Sequence, residues 1–311
     1  MMRRFILVGA ALLAAGSFAN AQISGADLLK KMGYPADSKL LILHADDLGM
    51  SHSANLASFE ALEKGWVSSA SVMVPCPWFD EVAEFAKAHP EADLGLHLTL
   101  TSEWKNYRWG PVNREHFKSL LDAEGYFPEV SGPVGKNATI EDASAELAAQ
   151  LAKAHASSIH FSHLDNHMGS LAQNADLFRL YLQTGRNARV PISISSAEIN
   201  AYPQAFVGFE NLPVPVYIGP AEGMSPLEGF RKTFSALKPG VYITIVHLGL
   251  DDVELRAIML DRAGGAIARQ HDFDLVESPE FQGLLKENGI KLIGWKDVAK
   301  ALDAPASFPI H

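Results

Sequence analysis

Residues Leu40-Leu41-Ile42-Leu43-His44-Ala45-Asp46-Asp47 run four aliphatic side chains directly into an imidazole and two carboxylates. A short apolar run bounded by polar residues is the pattern of a strand covered on both faces, and such strands belong to parallel sheets packed under helices. The same ending recurs three times. Asp93-Leu94-Gly95-Leu96 meets His97, Ile159 to Ser162 meets His163-Leu164-Asp165-Asn166-His167, and Val241-Tyr242-Ile243-Thr244-Ile245-Val246 meets His247. In a parallel sheet or barrel the C-terminal strand ends share one face, so these groups converge although they lie up to about 200 residues apart.

From Lys39 onward, apolar or β-branched runs alternate with helix-period stretches, which is the sequence of a βαβ fold. The expected strands are Leu40–His44, Ser69–Val74, Asp93–Leu98, Ser158–Leu164, Val190–Ile194, Val241–His247 and Lys291–Gly294. The fold class is therefore α/β, a single-domain irregular (β/α) barrel of about seven mainly parallel strands. Ser225-Pro226-Leu227-Glu228 reads as a capping box with proline at the first helical position, and Ser278-Pro279 repeats the cap. Gly65, Gly185 and Gly289 read as left-handed helix C-caps. Thr101 to Gly135 and Val207 to Gly223 show little period and read as two long excursions over the sheet, a common place for function.

The chain has 311 residues, 48% hydrophobic and 20% charged, with a formal net charge of −10. That balance argues against nucleic acid and anionic lipid, which need basic patches to displace counterions. The single cysteine, Cys76, allows neither an internal disulfide nor a thiolate metal site, so any metal is held by histidine and carboxylate. Met1 to Ala21 carries Arg3 and Arg4, an apolar run from Phe5 to Gly16, and the small-x-small ending Ala19-Asn20-Ala21. This is the form of an export signal cut after Ala21, and the run is too short to span a hydrocarbon core of about 30 Å. The expectation is an exported protein, periplasmic or secreted, with one domain from residue 22 to 311 and no membrane insertion after cleavage. Apolar surface on the outer helices is compatible with a homodimer.

One histidine at a strand end is usually structural, but five of the 12 histidines (His44, His97, His163, His167, His247) sit in these endings. A polar network that merely staples the barrel is the plain alternative. Asp46 and Asp47 would repel each other in a confined site unless a cation lies between them. One oxygen of Asp47 with one nitrogen each of His97 and His167 makes three protein ligands and an open position, the form of a catalytic site. A cation there lowers the pKa of a water toward neutrality. Asp46 is then placed to accept the water's proton and His247 to protonate a departing amine. His163 and Asp165 are expected to orient the ligands. In the loop after His97, Trp104, Tyr107 and Trp109 suit the apolar face of a pyranose ring, or else pin the loop to the barrel. Asn55 reads equally as a site residue or a helix cap, and Arg269 as an exposed arginine at a helix end sooner than as a basic residue of the site.

Taken together, His44-Ala45-Asp46-Asp47-Leu48-Gly49, Gly95-Leu96-His97-Leu98-Thr99-Leu100-Thr101, His163-Leu164-Asp165-Asn166-His167 and the late strand ending at His247 resemble the carbohydrate deacetylases of the YdjC family, also called the chitooligosaccharide or hopanoid-sugar deacetylase group. The motifs occur in that family's order and span nearly the whole chain after residue 21. Leu248-Gly249 lacks the proline that often follows the late histidine, and Met168-Gly169-Ser170 stands where further histidines are frequent. The resemblance implies a barrel related to those of the polysaccharide deacetylases, a carbohydrate substrate, and metal-dependent hydrolysis of an N-acetyl group with one divalent ion, Zn²⁺ or Mg²⁺. It implies Asp47, His97 and His167 as ligands, Asp46 as base and His247 as acid. The rival readings are an exported sugar-binding protein without catalysis, and a metal-dependent hydrolase of a different ester or amide.

Overall fold

The structure, a computed structural model, describes residues 25–302 except 116, 117 and 263; the expected export signal Met1–Ala21 lies outside the described residues. Among the described residues seven strands make one sheet in which every pairing is parallel. They are β1 (Lys39–Leu48), β2 (Ser69–Val72), β3 (Leu94–Leu98), β4 (Leu164–Asn166), β5 (Val216–Tyr217), β6 (Gly240–Val246) and β7 (Ile290–Leu292). The order is β4-β3-β2-β1-β6-β5, and β7 lies beside the first residues of β1 while β2 lies beside its last. Thus β1 is the axis of the fold, and all its residues but Lys39 are buried. Among the described residues no helix is long and apolar enough to cross a membrane.

Two expected strands differ from those observed. A left-handed turn at Ser158 (φ 65°), just after the helix Ile140–Ala156, takes the start of Ser158–Leu164 out of extended conformation, and β4 begins only at Leu164. Val190–Ile194 contributes a single parallel bridge, Ile192 to Leu164. The seventh strand is instead β5, inside the stretch read as a loop; its two residues are exposed and carry no burial pattern to read. The sheet curls so far that its edges meet without a ladder: Tyr217 of β5 and Ser193, beside Ile192, touch hydroxyl to hydroxyl at 2.5 Å. Side chains close the barrel there. Ser225 and Ser278 cap their helices as expected, but Glu228 turns to Arg231 and leaves the box at Ser225 incomplete. Gly65 and Gly289 have the left-handed φ of helix ends, at 68° and 63°. Gly185 lies within the helix Ala175–Ala188, where its missing Cβ admits the Ile192 side chain.

Alternation along the strands divides the core in two. Leu41, Leu43 and Ala45 point outward into the large cluster under the helices, whereas Leu40 and Ile42 point inward to Val241, Ile243, Ile293 and Trp295. The helix Gly25–Lys31 places Leu28 and Leu29 in that inner cluster and so plugs the N-terminal end of the barrel. Above the plug the inward positions change character. Ser69 and Ser71 of β2, Gly95 and His97 of β3, and His44 and Asp46 of β1 are small, imidazole or carboxylate, and their polar side chains are buried. Small residues make room for rings: a Cβ on Gly95 would overlap the His163 imidazole.

Gly95→Ala should therefore destabilise the fold by about 1–3 kcal/mol, as overpacking of a filled interior does. Urea unfolding of the two proteins side by side tests it, and equal midpoints would show that the His163 ring has room to retreat.

Candidate active site

The strand ends β1, β3, β4 and β6 open onto one cleft of about 420 Å³, lined by Asp46, Asp47, His97, Asn166, His167 and His247 from these ends and by Glu103, Trp104, Arg262, Arg269 and Asp272 from loops and a helix. Strict alternation would send Asp46 and Asp47 to opposite faces of β1. The backbone prevents it: the pairing of β1 with β2 shifts register between Ala45 and Leu48, and Asp47 sits at φ 69°, a conformation few non-glycine residues adopt. Both carboxylates consequently face the cleft.

Asp47 Oδ1 lies 3.4 Å from His97 Nε2 and 3.4 Å from His167 Nδ1. These are too long for good hydrogen bonds, and Asp47 Oδ1 is buried with no hydrogen-bond partner. Ligands held about 2.1 Å from a tetrahedral centre lie about 3.4 Å apart, so the spacing fits three ligands on one cation. The other nitrogen of each ring is held by a carboxylate. His97 Nδ1 bonds Asp165 Oδ1 at 2.7 Å, and His167 Nε2 bonds Glu103 Oε2 at 3.1 Å. That leaves Nε2 of one ring and Nδ1 of the other aimed at Asp47, the arrangement by which carboxylates fix metal-binding imidazoles. The donor set and its orphaned oxygen fit a divalent metal.

Below this layer Asp165 is shared. Its Oδ2 takes His44 Nε2 at 3.0 Å, and the same nitrogen lies 3.1 Å from Asp46 Oδ1 and 3.2 Å from Ser71 Oγ. Asp165 thus holds His97 Nδ1, whereas the contacts of His163 lie elsewhere. Its ring stacks on Trp295 at 5.0 Å and meets His44 edge-on at 4.9 Å, while Nδ1 bonds Ser162 Oγ. Burial, with His44 beside it, holds His163 well below the usual imidazole range, so it serves as neutral packing. The residue that ties the orienting carboxylate to Asp46 is His44.

Arg269 reverses its sequence reading. It is buried rather than exposed, and its Nη2 donates to Asp47 Oδ2 at 2.5 Å from 222 residues away. Against the cost of burial, Arg269 first and then His167 and His97 hold the Asp47 carboxyl well below its ordinary range. Glu103 has no strand pattern to mark it and escapes a reading of the sequence; only the loop's return over β4 brings it to His167. Of the three loop aromatics, Trp104 lines the cleft, with the Arg262 guanidinium 4.6 Å above its ring. Trp109 and Tyr107 are not on the cleft wall. Trp109 Nε1 bonds Thr101 O at 2.8 Å and Tyr107 Oη bonds Met50 O at 2.8 Å, which pins the loop instead. Asn55 is no cap: Ser51 caps that helix, and Asn55 accepts the Gly49 N–H at 2.6 Å. His247 stands exposed at the end of β6 on the cleft wall, and its backbone N–H donates to Asp272 Oδ2 at 2.9 Å.

Fold and site together define a parallel β/α barrel with a buried histidine–carboxylate cluster at the C-terminal strand ends. The chain belongs to the YdjC-like protein family, whose sequence model matches residues 40–287. A protein of Thermus thermophilus named carbohydrate deacetylase is 34% identical over 286 residues, covering 89% of this chain and 99% of that one. A carbohydrate deacetylase of Geobacillus stearothermophilus is 26% identical over 263 residues, covering 83% and 98%. The same fold occurs in a crystal structure from Enterococcus faecalis described as a putative cellobiose-phosphate cleavage protein, at TM-score 0.72 and 24% identity, covering 84% of this chain and 99% of that one.

Burial pulls down on His44 and His167, yet their carboxylate partners win and raise each from 6.5 to about 9; Asp165 and Asp46 act on the first, Glu103 and Asp47 on the second. Folded values above unfolded ones mean stability that is complete below pH 6.5 and lost as pH rises through about 9. In a chelator the melting temperature should fall across that window. A melting temperature that stays level or climbs from pH 6.5 to 9 would show that these imidazoles are neutral in the folded, metal-free chain.

Proposed function

We propose that the protein is a metal-dependent deacetylase that hydrolyses the N-acetyl group of an acetylamino sugar and releases acetate. The observation that carries this reading is the buried, unpartnered Asp47 Oδ1 at 3.4 Å from both His97 Nε2 and His167 Nδ1. Membership in a family with relatives named carbohydrate deacetylase supports the substrate class.

Asp47, His97 and His167 would hold one divalent cation, Zn²⁺ or Mg²⁺. Bound there, the cation supplies Lewis acidity toward the acyl oxygen and toward the attacking water. Asp46 is the base. It lies beside the three ligands, its Oδ2 3.8 Å from His97 Nε2, and its other oxygen is steadied by His44. From that position it accepts the proton that the water loses as its oxygen adds to the carbonyl carbon. Breaking the C–N bond leaves an amine that needs a proton, and His247 on the far wall donates it. Trp104, buried beneath the Arg262 guanidinium, shapes the cleft wall without leaving a free ring face for the sugar.

The test is acetate release from short N-acetylglucosamine oligomers by the chain from residue 22, first stripped of metal and then supplied with Zn²⁺ or Mg²⁺. Release is expected only with metal. Asp46→Asn should lower the rate by roughly 10²–10⁴-fold, the range of a lost general base, with metal still bound. His97→Ala should lose metal and activity together. Wild-type rates in Asp46→Asn, or full release in chelator, would sink the reading.

A further inference from the structure

His97 and His167 are held in different ways. His97 lies inside β3, flanked by β2 and β4, and its ring is fixed by the sheet as well as by Asp165. His167 lies beyond the end of β4, and the chain turns away at once through Met168 and Gly169, with φ 51° and 64°. Its ring meets that of His97 edge-on at 5.0 Å. What meets its outer nitrogen is Glu103, whose carboxylate is itself buried.

Glu103 is a built position. Ser102 N bonds Pro128 O at 2.9 Å just before it, and Ser102 Oγ accepts the Trp109 N–H at 2.9 Å. Just after it, Trp104 is fully packed. A buried carboxylate is costly unless it is matched by a strong donor, and so much anchoring of the flanking backbone keeps this one on His167.

We propose that Glu103 is a positioning residue of the metal centre: its carboxylate keeps a proton on His167 Nε2, so that the Nδ1 lone pair faces Asp47 Oδ1 and His97 Nε2 and is free to bind the cation. The inference rests on the reading under Proposed function that these three residues share a metal. An imidazole can present a lone pair on one nitrogen only while the other carries the proton. With the acceptor removed, the ring can rotate or place its proton on Nδ1, and either change withdraws one of three ligands. The conservative change Glu103→Gln keeps an acceptor, because the amide oxygen can take the same N–H.

Calorimetric titration of the metal-stripped full domain with Zn²⁺ tests this, since it reads affinity rather than turnover. Glu103→Ala should weaken zinc binding by roughly 10–100-fold, as loss of a carboxylate behind a histidine ligand does, while Glu103→Gln stays within a factor of about three. Trp109→Phe releases the loop from Thr101 O without touching His167, and should bind zinc like the wild type. In the zinc-loaded wild type the His167 Nε2 proton should appear as a slowly exchanging, downfield imidazole resonance, absent in His167→Ala and shifted upfield in Glu103→Gln, so the inference is testable even if Glu103→Ala does not fold. Undiminished affinity in Glu103→Ala, an equal loss in Trp109→Phe, or no such resonance would overturn it. Failure of the underlying metal reading looks different: wild type and His97→Ala would then bind zinc alike.

Discussion

Two consecutive residues of an extended strand cannot both face the inside of a barrel, and the site requires that Asp46 and Asp47 do. The conflict is resolved in the backbone of Asp47, at φ 69°, where β1 slips register against β2. A non-glycine residue in that region costs about 1–3 kcal/mol and persists only where its surroundings over-determine it. Here they do. Arg269 grips Asp47 Oδ2, the Asp47 carbonyl accepts the Met50 N–H at 3.2 Å, and Asn55 holds Gly49 in the turn that follows. Each of these contacts aims a carboxylate that would otherwise point into the helix layer. The two carboxylates also differ in partners: both approach His97, but Asp47 alone meets His167 and Arg269 and Asp46 alone meets His44.

Charge explains why so many acids tolerate one another. Asp46, Asp47, Glu103 and Asp165 cluster around His97 and His167, and the other cations in contact with them are Arg269 and His44, whose protonation is raised. Two positive charges are still needed. In the metal-free chain they come from His97 and His167, both raised above the ordinary imidazole range by their carboxylates. At the proposed metal site a divalent cation would deliver the same two charges while freeing those nitrogens to act as ligands, an exchange of protons for metal at constant net charge.

What could be read in the sequence was whatever coincided with strand periodicity. Asp46, His97, Asp165, His167 and His247 stand at or just beyond the ends of apolar runs, and runs of that kind locate themselves. The residues that escaped lie off that pattern. Arg269 sits inside the helix Gly265–Glu277, where an arginine on an amphipathic face normally reaches water, and only the packing of that helix across the barrel mouth turns it inward. Glu103 follows β3 by five residues, in a loop whose return path local chemistry does not specify. His44 and His163 exchanged importance for a steric reason: both point inward, but the space above Gly95 and beside Trp295 fits one ring as packing, which leaves the other to reach the carboxylates. β5 was invisible because two exposed residues carry no alternation.

The filled lower barrel makes the upper site rigid. Leu28, Leu29 and Trp295 close the N-terminal end, and above them the Trp295–His163–His44 stack hands its packing to Asp165 through a hydrogen bond. A close-packed column of this kind transmits position, since no ring in it can shift without displacing the next. Asp165 at its top bonds His97 with one oxygen and His44 with the other, and His44 in turn touches Asp46. The distance between the proposed metal-binding nitrogen of His97 and the proposed base is thus set by the barrel core, whereas His167 and the cleft wall at Trp104 are set by a loop. His97 and Asp46 rest on the barrel core while His167 rests on the loop, and Glu103 is where the loop reaches the cluster.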